Sequence, residues 1–195
     1  MPHIGVFLDR DGTVSEEVGY VNHLARFRLL PGTIEAIKRF NQAGLKTILV
    51  TNQAGVARGY FTEDLIWQVH ENLATQLKAA GAYLDGIYYC PHHPSAGVPP
   101  YRTQCECRKP KPGLLRQAAQ EHDIDLSRSF MVGDKYTDIA LAQVVGAKGV
   151  MVMTGYGLGE YEYQRASWPK LPDKLAAHLL EASEWILNVA SQAKY

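Results

Sequence analysis

Short apolar runs alternate with amphipathic segments along almost the whole chain of 195 residues. The apolar runs have the length of buried strands and cover residues 4–8, 45–50, 86–90, 130–132 and 149–153. Strands that alternate with helices predict right-handed crossovers and a parallel sheet covered on both faces. We therefore expect one α/β domain over residues 1–195. Its fold would be a three-layer α/β/α sandwich around a mostly parallel, Rossmann-like sheet, with a minimal cap.

The intervening segments carry helical patterns with proline, threonine or glycine at their ends. Helices are predicted from 31 to 44, from 62, from 112, from 139 to 145 and from about 172 onward. Residues 14–30 and 155–170 show no clear period and are predicted as loops. The last helix would run from about Pro172, with Leu175, Leu179 and Ile186 on one face. For the C-terminal 40 residues we expect only a packing role.

The composition excludes several classes of partner. Lys and Arg number 20 and Asp and Glu number 20, so no net charge attracts nucleic acid or an anionic membrane. No apolar run approaches the roughly 18 residues of a membrane span, and the N-terminus lacks the features of a secretion signal. Three cysteines without an export signal argue against disulfides and for a reducing compartment. We expect a cytoplasmic monomer that binds neither nucleic acid nor membrane.

Polar residues with catalytic potential follow three of the predicted strands. Asp9 and Asp11 follow the first, Thr51 and Asn52 the second, and Asp134 the fourth. In a parallel sheet these carboxyl ends form one edge, which is where ligands bind. Each residue also has an ordinary explanation, such as a turn, a helix cap or a solvated charge. Their coincidence at successive strand ends favours a shared site, and clustered acids there need a cation.

These residues resemble the four motifs of the haloacid dehalogenase superfamily of phosphatases. The resemblance lies in Asp9-Arg10-Asp11-Gly12-Thr13, Val50-Thr51-Asn52, Lys109, and Gly133-Asp134 with Asp138. It implies that Asp9 attacks phosphorus and that Asp11 acts as general acid and base. It also implies that Thr51 and Lys109 stabilise the phosphoryl group.

The same resemblance implies a magnesium ion beside the nucleophile. Its ligands would be the side chains of Asp9 and Asp134 and the backbone carbonyl of Asp11, since Mg²⁺ prefers oxygen ligands. Asp138 follows Asp134 by four residues, the length of about one helical turn. We expect Asp138 to orient Lys109 or a metal-bound water rather than to bind the metal itself.

A second, independent pattern uses every cysteine in the chain. Cys90-Pro91-His92 and Cys105-Glu106-Cys107 form two short hooks with twelve residues between them. Thiolate and imidazole ligands at paired short spacing are typical of a tetrahedral, structural Zn²⁺ site. The zinc-binding loop, at about 90–109, would hold Arg108 and Lys109 over the site. The ordinary alternative is three unrelated cysteines and a chance histidine, and His93 could replace His92 as the fourth ligand.

Within the superfamily, the zinc loop resembles two related groups of phosphatases. One group hydrolyses histidinol phosphate, and the other removes the 7-phosphate from D-glycero-D-manno-heptose 1,7-bisphosphate. Residues 19–21, 51–59, 84–94 and 131–135 are closer to the second group, which serves ADP- or GDP-heptose synthesis for lipopolysaccharide or surface glycans. The resemblance implies substrate contacts from Glu17, Val18, Gly19, Tyr20, Asn52, Gln53, Ala54, Arg108 and Lys135.

The pattern of charge supports a substrate with two phosphates. Arg108, Lys135 and Arg58 remain as cations beyond those needed for one transferring phosphate. They would repel the cationic histidinol phosphate and attract a second phosphate. A binding module without catalysis is disfavoured because both Asp9 and Asp11 are present. A nucleic-acid 3′-phosphatase is disfavoured by the balanced charge.

Overall fold

The computed structural model describes residues 2–192 and contains a parallel sheet of six strands. The strands are β1 (Gly5–Leu8), β2 (Lys46–Asn52), β3 (Gly86–Cys90), β4 (Phe130–Gly133), β5 (Lys148–Val152) and β6 (Lys174–Ala176). Their order across the sheet is β3-β2-β1-β4-β5-β6, and every neighbouring pair is parallel. The expected α/β class is therefore confirmed. The chain progresses outward from β1 in one direction and from β4 in the other, so a crevice opens between these two strands.

Residues 2–192 also contain six helices. They are α1 (Thr33–Gln42), α2 (Glu63–Ala79), α3 (Gly113–Glu121), α4 (Tyr136–Val145), α5 (Gly157–Gln164) and α6 (Leu179–Gln192). Helices α1, α2 and α6 pack on one face, and α3 and α4 pack on the other. The three predicted layers are thus present. Residues 9–32, between β1 and α1, contain only a 3₁₀ turn at Leu24–Arg26, which agrees with a minimal cap.

Alternating side chains on the central strands build two hydrophobic cores. On β1, Val6 and Leu8 face the layer of α1, α2 and α6, while Phe7 faces the layer of α3 and α4. Each of these side chains is fully buried, and such burial contributes about 1.5–3 kcal/mol per side chain. Because both faces are covered, β1 cannot shift in register without exposing apolar surface. The residues that follow β1 are therefore held in fixed positions.

Two predictions for the C-terminal part are wrong. Residues 155–170 contain helix α5 and a 3₁₀ turn at Arg165–Ser167 instead of a loop. The helix expected from about Pro172 begins only at Leu179, because Leu175 lies in β6 and pairs with Met151 of β5. A strand of three residues is too short to show alternation, and the spacing of Leu175 and Leu179 imitates one helical turn. No helix among residues 2–192 is long and apolar enough to span a membrane.

Candidate active site

The crevice between β1 and β4 opens into a cavity of about 450 Å³ at the carboxyl edge of the sheet. Its walls combine acids, cations and aromatic groups: Asp9, Glu17, Gly19, Tyr20, Asn52, Ala54, Arg108, Lys109, Lys135, Thr137, Tyr156 and Glu160. Asp9 directly follows β1, and Lys109 comes from the long loop after β3. The topology therefore brings together groups that are about 100 residues apart in the chain.

Lys109 is the buried cation at the centre of the site. Its Nζ lies 2.8 Å from Asp9 Oδ1, 2.7 Å from Asp138 Oδ1 and 3.0 Å from the carbonyl oxygen of Val50. Burial by itself would lower the pKa of Lys109, but the charges of Asp138 and Asp9 outweigh it and raise that pKa. Lys109 therefore stays protonated. The expectation that Asp138 orients Lys109 agrees with this contact.

Asn52 holds the backbone of Lys109 in place. The amide nitrogen of Lys109 donates to Asn52 Oδ1 at 3.1 Å, and Asn52 Nδ2 donates to the Lys109 carbonyl at 3.3 Å. These reciprocal hydrogen bonds tie the loop to the end of β2. The cation is thus fixed from two sides, by the strand and by the carboxylates.

The Asp9 carboxylate is oriented through one of its two oxygens. The backbone nitrogen of Arg10 donates to Asp9 Oδ1 at 2.8 Å, and Lys109 contacts the same oxygen. Within residues 2–192, Oδ2 accepts no hydrogen bond and remains available for reaction. One oxygen held and the other available is the arrangement that a carboxylate nucleophile needs.

The surroundings of the Asp134 carboxylate are those expected of a metal ligand. It is fully buried, its Oδ2 accepts a hydrogen bond from the backbone nitrogen of Tyr156 at 2.9 Å, and its Oδ1 has no partner among residues 2–192. Burial, and then the nearby charge of Asp9, raise the pKa of Asp134 to about 8. A carboxylate oxygen of each of Asp9, Asp134 and Asp138 lies within 4.8 Å of the others. A cation would relieve the repulsion, and Asp9 and Asp134 suit Mg²⁺, whereas Asp138 is already paired with Lys109.

Gly12 makes room for this arrangement. The residue has a φ of +84°, and a Cβ at this position would lie 2.1 Å from Asp134 Oδ2. Any other residue would be strained and would displace the carboxylate. The glycine of the Asp-x-Asp-Gly stretch is therefore required by the approach of Asp134.

Asp11 is held by a buried arginine and by a glutamine. Arg10 Nε and Nη2 contact the two carboxylate oxygens at 3.0 and 2.8 Å, and Gln53 Nε2 donates to Asp11 Oδ2 at 2.9 Å. Burial would raise the pKa of Asp11, but the Arg10 charge and the hydrogen bonds lower it. Arg10 Nη1 in turn lies 3.4 Å from Nε2 of buried His70 on α2. The carboxyl group is therefore fixed in rotation.

The far wall of the cavity carries the residues implied as substrate contacts. Lys135 Nζ lies 3.2 Å from Glu17 Oε2 and 4.5 Å from the centre of the Tyr156 ring. The ring of Tyr20 packs edge-on against Tyr60 at 4.7 Å. The cysteine loop comprises residues 91–111, which follow Cys90 of β3. Within it, Arg108 Nη1 donates to the carbonyl oxygen of His92 at 3.2 Å, and Arg108 lies on the cavity wall. Cations thus flank the cavity beyond Lys109.

The cysteine loop and the preceding Cys90 bring together the four residues predicted as zinc ligands. Ligand atoms of Cys90, His92, Cys105 and Cys107 all lie within 4.8 Å of one another. Cys107 Sγ is 3.1 Å from Cys90 Sγ, 3.2 Å from Cys105 Sγ and 3.3 Å from His92 Nδ1. Three sulfurs and one imidazole nitrogen in such a cluster suit tetrahedral zinc.

The neighbouring His93 lies outside this cluster. Its Nε2 is 3.1 Å from Arg58 Nη2, and its Nδ1 accepts hydrogen bonds from the backbone nitrogens of Ser95 and Ala96. Both ring nitrogens are therefore occupied by other partners. The geometry therefore favours His92 as the histidine ligand. Arg58 contacts His93 and does not line the cavity.

Comparison with known proteins agrees with this geometry. The HAD-hydrolase-like family model matches residues 106–182. The D-glycero-D-manno-heptose-1,7-bisphosphate 7-phosphatase of Thermosynechococcus vestitus is 46% identical over 192 residues, which cover 95% of this chain and 96% of the relative. The D-glycero-beta-D-manno-heptose-1,7-bisphosphate 7-phosphatase of Escherichia coli is 42% identical over 165 residues, 84% of this chain and 86% of the relative.

This chain belongs to the heptose-1,7-bisphosphate 7-phosphatase family. A solved structure shares its fold with a TM-score of 0.82 and 33% identity, and it covers 95% of this chain and 99% of that one. It is the D,D-heptose 1,7-bisphosphate phosphatase from B. bronchiseptica, complexed with magnesium and phosphate. The sequence resemblance to haloacid dehalogenase phosphatases is therefore confirmed.

Two residues implied as substrate contacts lie off the cavity wall of this family member. Val18 packs against the core, and its carbonyl oxygen accepts a hydrogen bond from Arg26. Gln53 is only 4% exposed, and its amide faces Asp11 and Thr51. The other implied contacts, which are Glu17, Gly19, Tyr20, Asn52, Ala54, Arg108 and Lys135, line the cavity.

Three wall residues of this heptose-phosphatase family member escaped the sequence analysis. Thr137 lies in the first turn of α4. Tyr156 directly precedes α5, and Glu160 lies in the first turn of α5. Glu160 Oε2 also accepts a hydrogen bond from the backbone nitrogen of Tyr136. Tyr156 and Glu160 belong to the C-terminal 40 residues, so the expectation of only a packing role there is wrong. The glycines at 155, 157 and 159 predict a loop, and only the folded chain places Glu160 on the wall.

Proposed function

We propose that this protein is a magnesium-dependent phosphoric monoester hydrolase. It removes the 7-phosphate of D-glycero-D-manno-heptose 1,7-bisphosphate and leaves the 1-phosphate in place. Family membership and the phosphate-bound structural relative support the reaction class. We place it in ADP- or GDP-heptose synthesis for lipopolysaccharide or surface glycans.

The distribution of charge along the cavity carries this proposal. Lys109 lies among the carboxylates of the reacting centre, whereas Arg108 and Lys135 lie on the wall as additional cations. A sugar that carries a second phosphate would pair with such cations. Apart from the nucleophile Asp9, the two carboxylates on the wall do not favour a cationic substrate instead. Glu17 pairs with Lys135, and Glu160 caps the backbone of α4.

The first half of the reaction transfers the phosphoryl group to the protein. Arg10 lowers the pKa of Asp11 in the free protein, but the negative charge of a bound phosphate would raise it, so Asp11 would take up a proton as the substrate binds. Asp9 Oδ2 then attacks phosphorus, the bond from phosphorus to the sugar O7 breaks, and Asp11 delivers this proton to the departing oxygen. Lys109 and the Thr51 hydroxyl stabilise the charge on the phosphoryl oxygens. Asp9, Asp134 and the Asp11 carbonyl would hold Mg²⁺, which would supply further positive charge to stabilise the transferring phosphoryl group.

The second half hydrolyses the aspartyl-phosphate. Asp11, now deprotonated, takes a proton from water as the water attacks phosphorus, and the bond to Asp9 Oδ2 breaks. Inorganic phosphate leaves, and Asp11 is again protonated for the next cycle. Acid and base assistance of this kind contributes about 10²–10⁴-fold.

We assign the Cys90, His92, Cys105 and Cys107 cluster to one structural zinc ion. Four protein ligands leave no open position for chemistry. Arg108 and Lys109 directly follow Cys107, so the ion would fix the loop that delivers both cations. Burial raises the pKa of the Cys90 thiol, and a bound cation would offset this effect by stabilising the thiolate.

We propose further that the chain acts as one domain and as a monomer in the cytoplasm. One chain supplies acids and cations around a single cavity, so the proposed chemistry does not require a second copy. Three cysteines clustered for metal binding, rather than paired in disulfides, support a reducing compartment.

A phosphate-release screen tests the proposal. The substrates are both anomers of heptose 1,7-bisphosphate, histidinol phosphate and a 3′-phosphorylated oligonucleotide, each with and without Mg²⁺. We expect the highest kcat/KM on a heptose bisphosphate and no turnover without Mg²⁺. Faster turnover of histidinol phosphate or of the oligonucleotide would overturn the substrate assignment.

A further inference from the structure

The amide of Gln53 joins two residues that act on the phosphate. Its Nε2 lies 2.9 Å from Asp11 Oδ2 and 2.9 Å from Thr51 Oγ1. A carboxamide nitrogen carries two hydrogens, so it can donate to both oxygens at once. The side chain is 4% exposed and stands behind the cavity wall, where it has no surface to offer a sugar.

We propose that Gln53 is a positioning residue of the phosphatase reaction. Its amide aligns the carboxyl group of Asp11 for proton transfer to the leaving group, and it orients the hydroxyl of Thr51 toward the phosphoryl oxygens. This inference rests on the proposed function and on the roles assigned there to Asp11 and Thr51.

The contact with Thr51 sets the direction of a hydroxyl hydrogen. Gln53 Nε2 can only donate, so Thr51 Oγ1 must accept from it. The single hydrogen of Thr51 then points to another acceptor, and the phosphoryl oxygens are the acceptors that the substrate brings. An acceptor at position 53 would instead attract this hydrogen and turn it away from the phosphate.

The contact with Asp11 completes a support from two elements. Arg10, anchored by His70 of α2, holds both carboxylate oxygens from one side. Gln53, which follows β2, holds Oδ2 from the other side. Without Gln53, the carboxyl group of Asp11 could tilt together with the guanidinium of Arg10. Misplacement of a reacting group by about 1 Å can cost about 10²-fold in rate.

A series of substituted phenyl phosphates separates the two effects. These substrates have nearly the same size, but their leaving groups differ in acidity. Poor leaving groups need the proton of Asp11, whereas p-nitrophenolate departs without it. In Gln53→Met, we expect kcat/KM to fall about 10–100-fold on phenyl phosphate and clearly less on p-nitrophenyl phosphate. A plot of log kcat/KM against the pKa of the leaving group would therefore have a steeper slope in Gln53→Met than in the native protein. A loss of kcat/KM that is the same for all substrates would report on Thr51.

Matched variants distinguish positioning from packing. Gln53→Glu has nearly the shape of the native residue but replaces the donor by an acceptor, so it should be worse than Gln53→Met. Gln53→Asn keeps the carboxamide, so its slope of log kcat/KM against leaving-group pKa should lie closer to the native slope than that of Gln53→Met. Gln53→Asn is also the second variant to use if Gln53→Met impairs folding. Gln117→Met, on the exposed face of α3, is the control and should leave the slope unchanged. In an Asp11→Asn background, Gln53→Met should not steepen the slope further.

The outcomes separate this inference from the proposed function. A native slope in Gln53→Met would show that Gln53 does not act through Asp11. A higher KM for heptose bisphosphate alone, with aryl phosphates unaffected, would make Gln53 a substrate contact and would also overturn the inference. Failure of the native protein to hydrolyse any phosphate ester would instead refute the proposed function, and the inference with it.

Discussion

The carboxylate crevice and the cysteine loop hold their functional groups in different ways. In the crevice, Asp9 and Asp134 extend from the ends of paired parallel strands and are 6% and 0% exposed. The cysteine loop, residues 91–111, contains no helix and no regular strand, and Cys105 and Cys107 are only partly buried. The sheet positions the acids by itself, whereas we propose that a zinc ion crosslinks the loop through its side chains. Damage to the crevice should therefore stop the chemistry, and damage to the loop should loosen the structure.

The sharpest test of the crevice is Asp9→Asn. The amide is nearly isosteric but cannot attack phosphorus, so we expect turnover to fall by at least about 10⁴-fold while the protein stays folded. Phosphate release and a thermal melt measure the two properties. Magnesium-dependent turnover above a trace would contradict the aspartyl-phosphate mechanism.

Lys109 links the two regions, because it belongs to the loop but lies in the crevice. Lys109→Met would leave Asp9 and Asp138 buried without their cation, at a cost of about 3–5 kcal/mol in the free energy of unfolding. Activity should be lost as well. Denaturant unfolding checks the stability, and Asp138→Asn added to Lys109→Met should restore part of it. The same cost with and without Asp138 would show that the ion pair does not stabilise this fold.

The two adjacent histidines provide a matched test of the cysteine loop. His92→Ala should remove the metal, lower the melting temperature by several degrees and raise KM for heptose bisphosphate. His93→Ala should keep about one zinc ion per chain, because its ring nitrogens contact Arg58 and backbone amides. Elemental analysis and thermal melts of both variants measure the difference. Equal zinc content in the two variants would contradict the assignment of His92.

Cys107→Ala tests the same zinc site through a ligand near the C-terminal end of the cysteine loop. Structural zinc contributes about 10 kcal/mol or more to small peptides, but the large core of this protein should limit the loss. We expect loss of zinc and a lower melting temperature, with hydrolysis of p-nitrophenyl phosphate largely kept. Thr103→Ala, exposed in the same loop, is the control. Carefully purified native protein without zinc would refute the metal assignment.

The smallest expected effect concerns Arg108, which the loop delivers to the cavity. Arg108→Ala should cost about 1.5–3 kcal/mol in transition-state binding of heptose bisphosphate, as for a charged hydrogen bond. The loss on p-nitrophenyl phosphate should be small, since that substrate has no second phosphate. Arg116→Ala, exposed on α3, serves as the control. An equal loss on both substrates would show that Arg108 does not recognise the second phosphate.

Much of this architecture follows from local sequence pattern. The apolar runs predict β1 to β5, and the polar residues behind them predict which side chains meet at one edge. This works because a parallel sheet converts position along a strand into position in space. The pattern fails at β6 and α5, where a three-residue strand and a glycine-rich helix start carry no periodicity of their own. These elements form because they pack on β5.

The sequence by itself determined the α/β class, the strand-end acids, the lysine and the paired cysteine hooks. Only the tertiary structure placed His92 rather than His93 in the cysteine cluster, and it moved Gln53 from the cavity wall to contacts with Asp11 and Thr51. It also added Thr137, Tyr156 and Glu160 to the wall. The reason is physical. The type of a residue and its place in a strand are local properties, whereas the partner that a side chain reaches depends on how distant segments pack against each other.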